Sequence, residues 1–532
     1  MPNSPPASHP GSSSSDSRRR LSVAMIVRNE AATLAEGIGS VRSIADEIVV
    51  LDTGSTDRSR EIATEAGATV HQTTWPDDFA AARNECLAQV TGDWVLWLDG
   101  SEQLDVETAG ELRAFIDGGE IDANKVYMML VEIPSADEGG AAEQAAQPRL
   151  MPRREGLRFS GRIRESIRPA LQATGMQLDA APGRIARLAA GNTPQRKRAR
   201  ARRDLELVRV AERNDGPLSA SLLIAQGDAL SNLGEMARAR QSYRKALEQA
   251  PAGSTEALSA YYGLLPTYDG QPDLADEQLK ACMQAVEAYP VDAQLLLALG
   301  NYLQQRKQMD LARRAFEAAV GHGQVDLETW HLRELSEVAS ICLALVLQLQ
   351  GNDEGARRHL SEAFTRQPRS LRIRRHLLDA HIKAGNTTEA LELVQVAGQS
   401  NEQSALLEQV VRGACHASRG QWTEALGLLQ SAYVSGCRAN LCLRWLAFTL
   451  LRQGQVESVR PVLAEWLTAD PTNVEAQSYK AALDRHDADQ QVGRQEADRQ
   501  LRVDAPRSAP ATGEQHTHTE APQRQDAGRL HR

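Results

Sequence analysis

The chain has 532 residues, 42% hydrophobic, 24% charged and 4% aromatic, a globular composition with length for two or more domains. A formal net charge of -10 argues against non-specific nucleic-acid binding, which needs a basic face. Six cysteines (Cys86, Cys282, Cys342, Cys415, Cys437, Cys442) without a CxxC pair disfavour a zinc site or a disulfide framework, and suit a reducing cytoplasm.

Residues 1–20, rich in Ser and Pro, cannot bury apolar surface and are expected to be disordered. The apolar run 21–27 behind Arg18-Arg19-Arg20 is too short to span a bilayer and lacks an A-x-A-like cleavage site, so it reads as a first strand and neither an export signal nor a transmembrane segment. Further apolar runs at 47–51, 68–73 and 93–98 alternate with amphipathic stretches starting at residue 30 and covering 57–65 and 78–89. That alternation predicts a parallel sheet covered on both faces.

Two turns then stand out. Asp52-Thr53-Gly54-Ser55-Thr56-Asp57 falls between a strand and a helix, where Gly54 permits a tight backbone and Ser55, Thr56 and Asp57 are good helix caps. Asp93-Trp94-Val95-Leu96-Trp97-Leu98 runs into the acidic turn Asp99-Gly100-Ser101-Glu102. Ligands of open α/β sheets gather at the carboxyl ends of strands, so a site is expected around Asp99. Beyond it, 124–133 reads as a strand and 135–147 as a surface loop. Two basic segments, 149–154 and 159–165, precede a domain end near residue 190. The basic run 196–203 opens a helix and reads as a solvated face.

From residue 204 the period changes. Markers at Gly234, Gly270, Lys307, Gly351, Gly385, Gly420 and Gly454 are 36, 37, 44, 34, 35 and 34 residues apart, with small residues recurring at fixed offsets behind them. The small residues follow the first six markers, while Gly454 is followed by Pro471. The spacing is close to the 34-residue period of tetratricopeptide repeats, in which small residues let paired helices approach and neighbours bury what one pair cannot. Seven helical pairs are expected, with an insertion around 321–329. The expected organisation is a tail (1–20), an α/β domain (21–190), a helical connector (191–217), the repeat array (218–484) and a polar, disordered tail (485–532).

Four segments of the first domain, 21–30, 46–57, 78–84 and 92–99, resemble the family 2 glycosyltransferases of bacteria, and the repeats behind them resemble the subgroup with a C-terminal tetratricopeptide array. The resemblance implies a GT-A fold binding a nucleotide-diphospho sugar at the carboxyl edge of the sheet. Carried over by position, Asn29 and Glu30, then Asp52, Gly54, Ser55 and Asp57, line the nucleoside pocket. Carboxylates there accept hydrogen bonds from ribose hydroxyls or a base N–H. Arg83 and Asn84 point at nucleotide or sugar, and Asp99 contacts ribose or helps hold Mn or Mg. Helix capping is the plainer reading of Asp52, Ser55 and Asp57.

The chain departs from the family at the positions tied to the metal. Asp99-Gly100-Ser101 replaces the usual D-x-D, and a hydroxyl is a poor ligand where a hard anionic oxygen is needed. Phe159-Ser160-Gly161-Arg162-Ile163-Arg164-Glu165 replaces F-x-G-x-I-H-E, and 181–184 lacks a His-x-Gly-like element. Three readings stay open. Arg164, with Arg162 or Arg153, replaces the cation as a bidentate partner for phosphate oxygens. Alternatively, the protein is a tetratricopeptide interaction scaffold with a degenerate transferase domain, or a weakly bound divalent ion remains on Asp99 and Glu102. A base for the acceptor is sought in Glu165, then Glu102. The concave face of the array is expected to bind a protein or peptide partner, a peptide acceptor or a second copy.

Overall fold

The computed structural model describes residues 18–133, 143–188, 193–327, 333–394 and 401–503. The α/β domain runs β1 (Leu21–Val27), α1 (Leu34–Val41), β2 (Glu47–Asp52), α2 (Ser59–Glu65), β3 (Thr69–Gln72), α3 (Phe79–Gln89), β4 (Trp94–Trp97), β5 (Glu102–Leu104) and α4 (Val106–Asp117). It continues with β6 (Lys125–Ile133), β7 (Glu143–Pro152), α5 (Arg168–Thr174) and β8 (Gln177–Arg187). One eight-stranded sheet has the order β3-β2-β1-β4-β7-β6-β8-β5.

The first four strands of that order are parallel, as expected; β1, β2 and β4 carry the buried apolar runs, while β3 is a partly exposed edge strand. Alternate side chains of β1 and β4 enter opposite cores: Val23, Met25 and Leu96 join one cluster, while Ala24, Val95 and Trp97 join the other. The second half of the sheet corrects the all-parallel expectation. β7 is antiparallel to both β4 and β6, β8 is parallel to β6, and β5 is antiparallel to β8. Residues 143–147, expected as loop, are the first half of β7 and pair with 129–133 of β6. Their Ala and Gln side chains carry little strand preference, and the neighbouring strand's hydrogen-bond ladder decides the outcome. Residues 134–142 lie outside the described residues.

The connector is α6 (Pro194–Asp215), capped by the Thr193 hydroxyl, which accepts from the Arg196 N–H. Ile163, Val208 and Ala225 form an apolar cluster that joins the 159–165 segment to α6 and to the first repeat helix, α7 (Ala220–Asn232). Arg168 of α5 donates to the Thr255 hydroxyl at 2.9 Å. The α/β domain and the first repeats belong to one compact unit, which ends at Ala380, inside a repeat helix (Leu371–Ala384).

In that unit α7 pairs with α8 (Met236–Gln249), and three further pairs follow: α9 (Thr255–Leu264) with α10 (Ala275–Ala288), α11 (Ala293–Gln305) with α12 (Met309–Gly321), and α13 (Ser336–Leu349) with α14 (Asp353–Arg366). The expected insertion lies between α12 and α13; Arg333 bridges to Ala145 of β7, and the Glu334 N–H donates to the Gln144 carbonyl at 3.0 Å. The second unit begins at His381 and contains the helices Thr387–Glu392, Asn401–Ser418, Trp422–Val434, Asn440–Arg452, Val456–Ala469 and Val474–Val503. All seven markers stand at turns between paired helices with φ between 60° and 86°.

Two tail boundaries shift. Arg19 donates to the Ile116 and Gly118 carbonyls and the Arg20 N–H to Asp93, so residues 18–20 are part of the fold. The last helix continues past 485 to Val503, its polar residues being good helix formers. Residues 1–17 and 504–532 lie outside the described residues.

Candidate active site

A cavity of about 380 Å³ opens at the carboxyl ends of β1, β2 and β4. One wall comes from the sheet edge and α3, through Glu30, Thr53, Phe79, Arg83, Asp99 and Ser101. The facing wall comes from Arg164 and Glu165, from Arg200 and Arg203 of α6, and from Asp228 of α7.

The turn after β2 is knitted to the turn after β1. Asn29, at φ 58°, donates its N–H to the Ser55 hydroxyl at 2.9 Å and accepts from the Thr56 N–H at 2.8 Å. Asp52 Oδ1 accepts from the Gly54 and Ser55 N–H groups at 3.0 and 2.9 Å. Asp57 accepts from the Ser59 and Ala31 N–H groups at 3.0 and 3.1 Å. Burial pushes the Asp57 carboxyl up, but the Ser59 and Ala31 hydrogen bonds outweigh it and hold it below the usual range. Hydrogen bonds within and between the two turns, and not helix capping, thus occupy most of the polar atoms of Asp52, Ser55 and Asp57; α2 begins after Arg58 without a side-chain cap. Asp52 Oδ2, buried and without a hydrogen-bond partner among the described residues, is the exception. Gly54 sits at φ 102°, where a side chain would be strained.

The acidic turn is built differently. Glu102 is fully buried; its Oε1 accepts from Arg149 and Arg187, each at 2.9 Å, and its Oε2 from the Asp99 N–H at 3.1 Å. Asp99 faces Arg83, Arg187 and Arg149 at 3.5, 3.7 and 3.8 Å and accepts from the Trp97 indole at 3.2 Å. Burial raises the Asp99 carboxyl, but Arg149, Arg83, Arg187 and the Trp97 bond together hold it well below the ordinary range. Ser101 is buried, and its carbonyl accepts from the Leu188 N–H at 2.8 Å. The Gly100 carbonyl accepts from the Thr33 hydroxyl at 2.8 Å.

Arg83 donates its Nε to Glu165 at 2.7 Å, and its guanidinium lies 4.4 Å from the Trp97 ring centroid and 5.1 Å from that of Phe159. Asn84 corrects the expectation of a ligand contact: its carboxamide is consumed by the Phe159 backbone, donating to the carbonyl and accepting from the N–H, both at 2.9 Å. It clamps the 159–165 segment onto α3. Glu102 is likewise corrected as a candidate base, because it is sealed from solvent with both oxygens engaged.

Arg164 reaches away from the acidic turn. At φ 56°, it pairs with Asp228 of α7 at 2.5 Å, and Asp228 also accepts from the Tyr243 hydroxyl at 2.8 Å. Burial first, then the Asp228 charge and hydrogen bond, push the Tyr243 phenol up, so the hydroxyl stays a donor. Arg162 serves the Asp77 carbonyl and Asp215, and Arg153 the Gly92 carbonyl. None of these three arginines occupies the place beside Asp99; Arg83, Arg149 and Arg187 do.

The residues that sequence reasoning passed over are therefore Arg149, Arg187 and the α6 arginines. Arg149 falls in the basic segment 149–154 without being singled out there, nothing local marks Arg187, and the two meet on the Glu102 carboxylate from β7 and β8. The α6 arginines did carry a signal: positions 196, 200 and 203 share one helix face. Arg196 pairs with Glu30 at 2.5 Å and donates to the Asn29 carbonyl at 3.2 Å, while the Arg203 guanidinium lies 4.6 Å from the Phe79 ring centroid.

Residues 22–134 match the profile of glycosyl transferase family 2, and residues 220–252 and 343–405 match tetratricopeptide repeat profiles. A TPR repeat-containing protein of Synechococcus elongatus is 34% identical over 318 residues, covering 57% of this chain and 75% of that protein. An uncharacterized glycosyltransferase of Rickettsia felis is 34% identical over 110 residues, 21% of this chain, and the chain spans only 38% of that relative's length. Among solved structures, a tetratricopeptide repeat protein from Parabacteroides merdae is 12% identical with a TM-score of 0.35, covering 49% of this chain and 96% of that one.

Proposed function

Because the chain belongs to the family 2 glycosyltransferases that carry a tetratricopeptide array behind the catalytic domain, we propose that its cavity binds a nucleotide-diphospho sugar and passes the sugar to an acceptor with guanidinium groups, not a divalent cation, at the phosphate edge. The observation that carries this is the set of three arginines within 3.8 Å of Asp99 at the place of the family's metal turn. Mn²⁺ or Mg²⁺ asks for several hard, anionic oxygens with room around them. Here Ser101 is neutral, Glu102 is spent on two arginines, and Asp99 is ringed by positive charge. These residues do not fit a divalent ion.

A displacement at the anomeric carbon breaks its bond to the diphosphate oxygen, forms one to the acceptor, and requires a base for the acceptor's proton. Glu165 takes that role: it lines the cavity and Arg83 orients it through a 2.7 Å hydrogen bond. Glu30, which lines the cavity, serves the nucleoside. The acceptor or a protein partner is recruited by the repeats. No described helix is long and apolar enough to cross a membrane, and the six unbridged thiols suit work in the cytoplasm.

The test is calorimetric titration of the full chain with UDP-, GDP- and TDP-sugars, first in EDTA and then with Mn²⁺, followed by donor hydrolysis. Binding and hydrolysis that survive EDTA are the expected result. Binding that needs Mn²⁺ overturns the metal-free site, and binding without hydrolysis in either condition leaves the degenerate scaffold as the better account.

A further inference from the structure

Arg164 and Glu165 face opposite ways from one closed loop. Ser160 and Ser166 exchange backbone hydrogen bonds, each at 2.9 Å, and the Phe79 N–H donates to the Arg162 carbonyl at 2.9 Å, which ties the loop to the start of α3. Within it Arg164 sits at φ 56°, a left-handed conformation that a residue with a side chain keeps only where its surroundings fix it. Glu165 turns to Arg83 on the sheet side of the cavity, and Arg164 to Asp228 on the repeat side. Both Arg164 and Asp228 line the cavity.

The two ends of this ion pair are held unequally. Asp228 Oδ1 accepts from the Tyr243 hydroxyl at 2.8 Å, and the Tyr243 ring is buried where a Cβ on Gly227 of α7 or Gly263 of α9 would collide with it. The carboxylate is thus anchored from behind by the first repeat. Arg164 has a fixed backbone but a side chain 38% exposed, and Asp228 is 41% exposed. A pair so open to water is weak, because solvent screens it and hydrates both charges. Arg83, Arg149 and Arg187 differ in being more deeply buried and shared among Asp99, Glu102 and Glu165. A diphosphate brings more charge than one carboxylate and several oxygens that match the guanidinium fork, so it competes for Arg164 on favourable terms.

We propose that Asp228 of the first repeat sets the phosphate specificity of the donor site: it holds Arg164 off the phosphate edge, and the diphosphate of an entering nucleotide sugar takes Arg164 from it. This rests on the donor-binding function above and adds a specificity residue from outside the family segment 22–134. One ion pair is exchanged for another. The released carboxylate keeps its Tyr243 hydrogen bond and gains water, while a nucleoside, which has no phosphate, leaves the pair closed.

The test titrates the full-length chain with UDP and GDP and with uridine and guanosine, in EDTA and in Mn²⁺. In the wild type, one nucleoside diphosphate is expected to bind more tightly than its nucleoside. Asp228→Asn keeps an acceptor for Tyr243 but frees Arg164, and should tighten the diphosphate about two- to fivefold without changing nucleoside affinity. Arg164→Ala should weaken the diphosphate about tenfold. In that background Asp228→Asn should have no effect, since Arg164 is what the carboxylate withholds. Equal tightening by Asp228→Asn with and without Arg164 would mean that the carboxylate merely repels phosphate, and overturns the proposal. Diphosphate affinity that falls or stays the same in Asp228→Asn would mark the pair as structural and overturns it as well, as does an equal change for the nucleoside. A wild-type chain that binds neither diphosphate in either condition sinks the donor site itself, whereas wild-type binding with an indifferent Asp228→Asn sinks only the role of Asp228.

Discussion

The acidic turn at 99–102 and the turns of the repeat array solve opposite problems. At the acidic turn, a fully buried carboxylate is held by arginines from strands 47 and 85 residues downstream. In the array, each marker needs only its own backbone to adopt a left-handed conformation between paired helices, with φ between 60° and 86°. The first arrangement is built from long-range charge and the second from local geometry. Their tolerance to mutation should differ accordingly.

The largest effect is expected at Glu102. Truncation to Ala leaves Arg149, 3% exposed, and Arg187 without their shared carboxylate. Breaking a buried pair by removing one partner costs about 3–5 kcal/mol, to be read as a lower urea midpoint at unchanged m-value. A loss under about 1 kcal/mol, the value of a surface pair, would mean that the network is not sealed from water.

Asp99 comes next, and pH separates it from Glu102. Its carboxyl titrates below the usual range in the folded chain, so its contribution is complete above the unfolded-state value, about 4, and is lost as pH falls toward the lower folded value. The stability gap between wild type and Asp99→Asn should therefore be full at pH 7 and shrink below pH 4. With 31% of the side chain exposed, solvent screening makes that gap smaller than the one at Glu102. A gap that is constant from pH 7 to 3 would show that the arginines do not depress this group.

Asp57 is intermediate in kind, a polar side chain serving a local turn. Asp57→Ala removes acceptors from the Ser59 and Ala31 N–H groups and should cost about 1 kcal/mol. Donor affinity should change little, because neither Asp57 nor Ser55 lines the cavity. A large loss of nucleotide binding at unchanged stability would restore Asp57 to the nucleoside pocket.

What could be read in advance follows the same division. Parallel strands announced themselves because both faces are buried and the runs are unbroken, as in Val23–Val27. The array was legible because a turn residue and small helix-contact residues recur at nearly fixed spacing. β8 and the first half of β7 were not, since their Ala, Gln and Arg residues pair only because a neighbouring strand is there. At the site, Ser101 and Arg164 depart from the family's motif at the positions tied to the metal, but residue type alone could not say where Arg164 reaches. Asp228, 64 positions away, decides that. The α6 arginines looked like a solvated face because the cavity they border is formed only when α6 packs back on the sheet edge.

The smallest predicted effect tests the local half of the comparison at its one exception. Six of the seven markers are glycines; the seventh is Lys307, held at φ 60° after α11, where its N–H donates to the Gln304 carbonyl at 2.9 Å. A side chain in this region costs roughly 1–2 kcal/mol that glycine avoids, but glycine also gives the unfolded chain more freedom, returning about 0.4–1 kcal/mol. Lys307→Gly should thus stabilise the chain by up to about 1 kcal/mol, seen as a small rise in the thermal midpoint. Lys307→Ala, which relieves nothing at the backbone, should not. If Ala stabilises as much as Gly, the gain comes from removing the lysine side chain and not from the turn, and the marker positions are then set by packing between repeats instead of by φ.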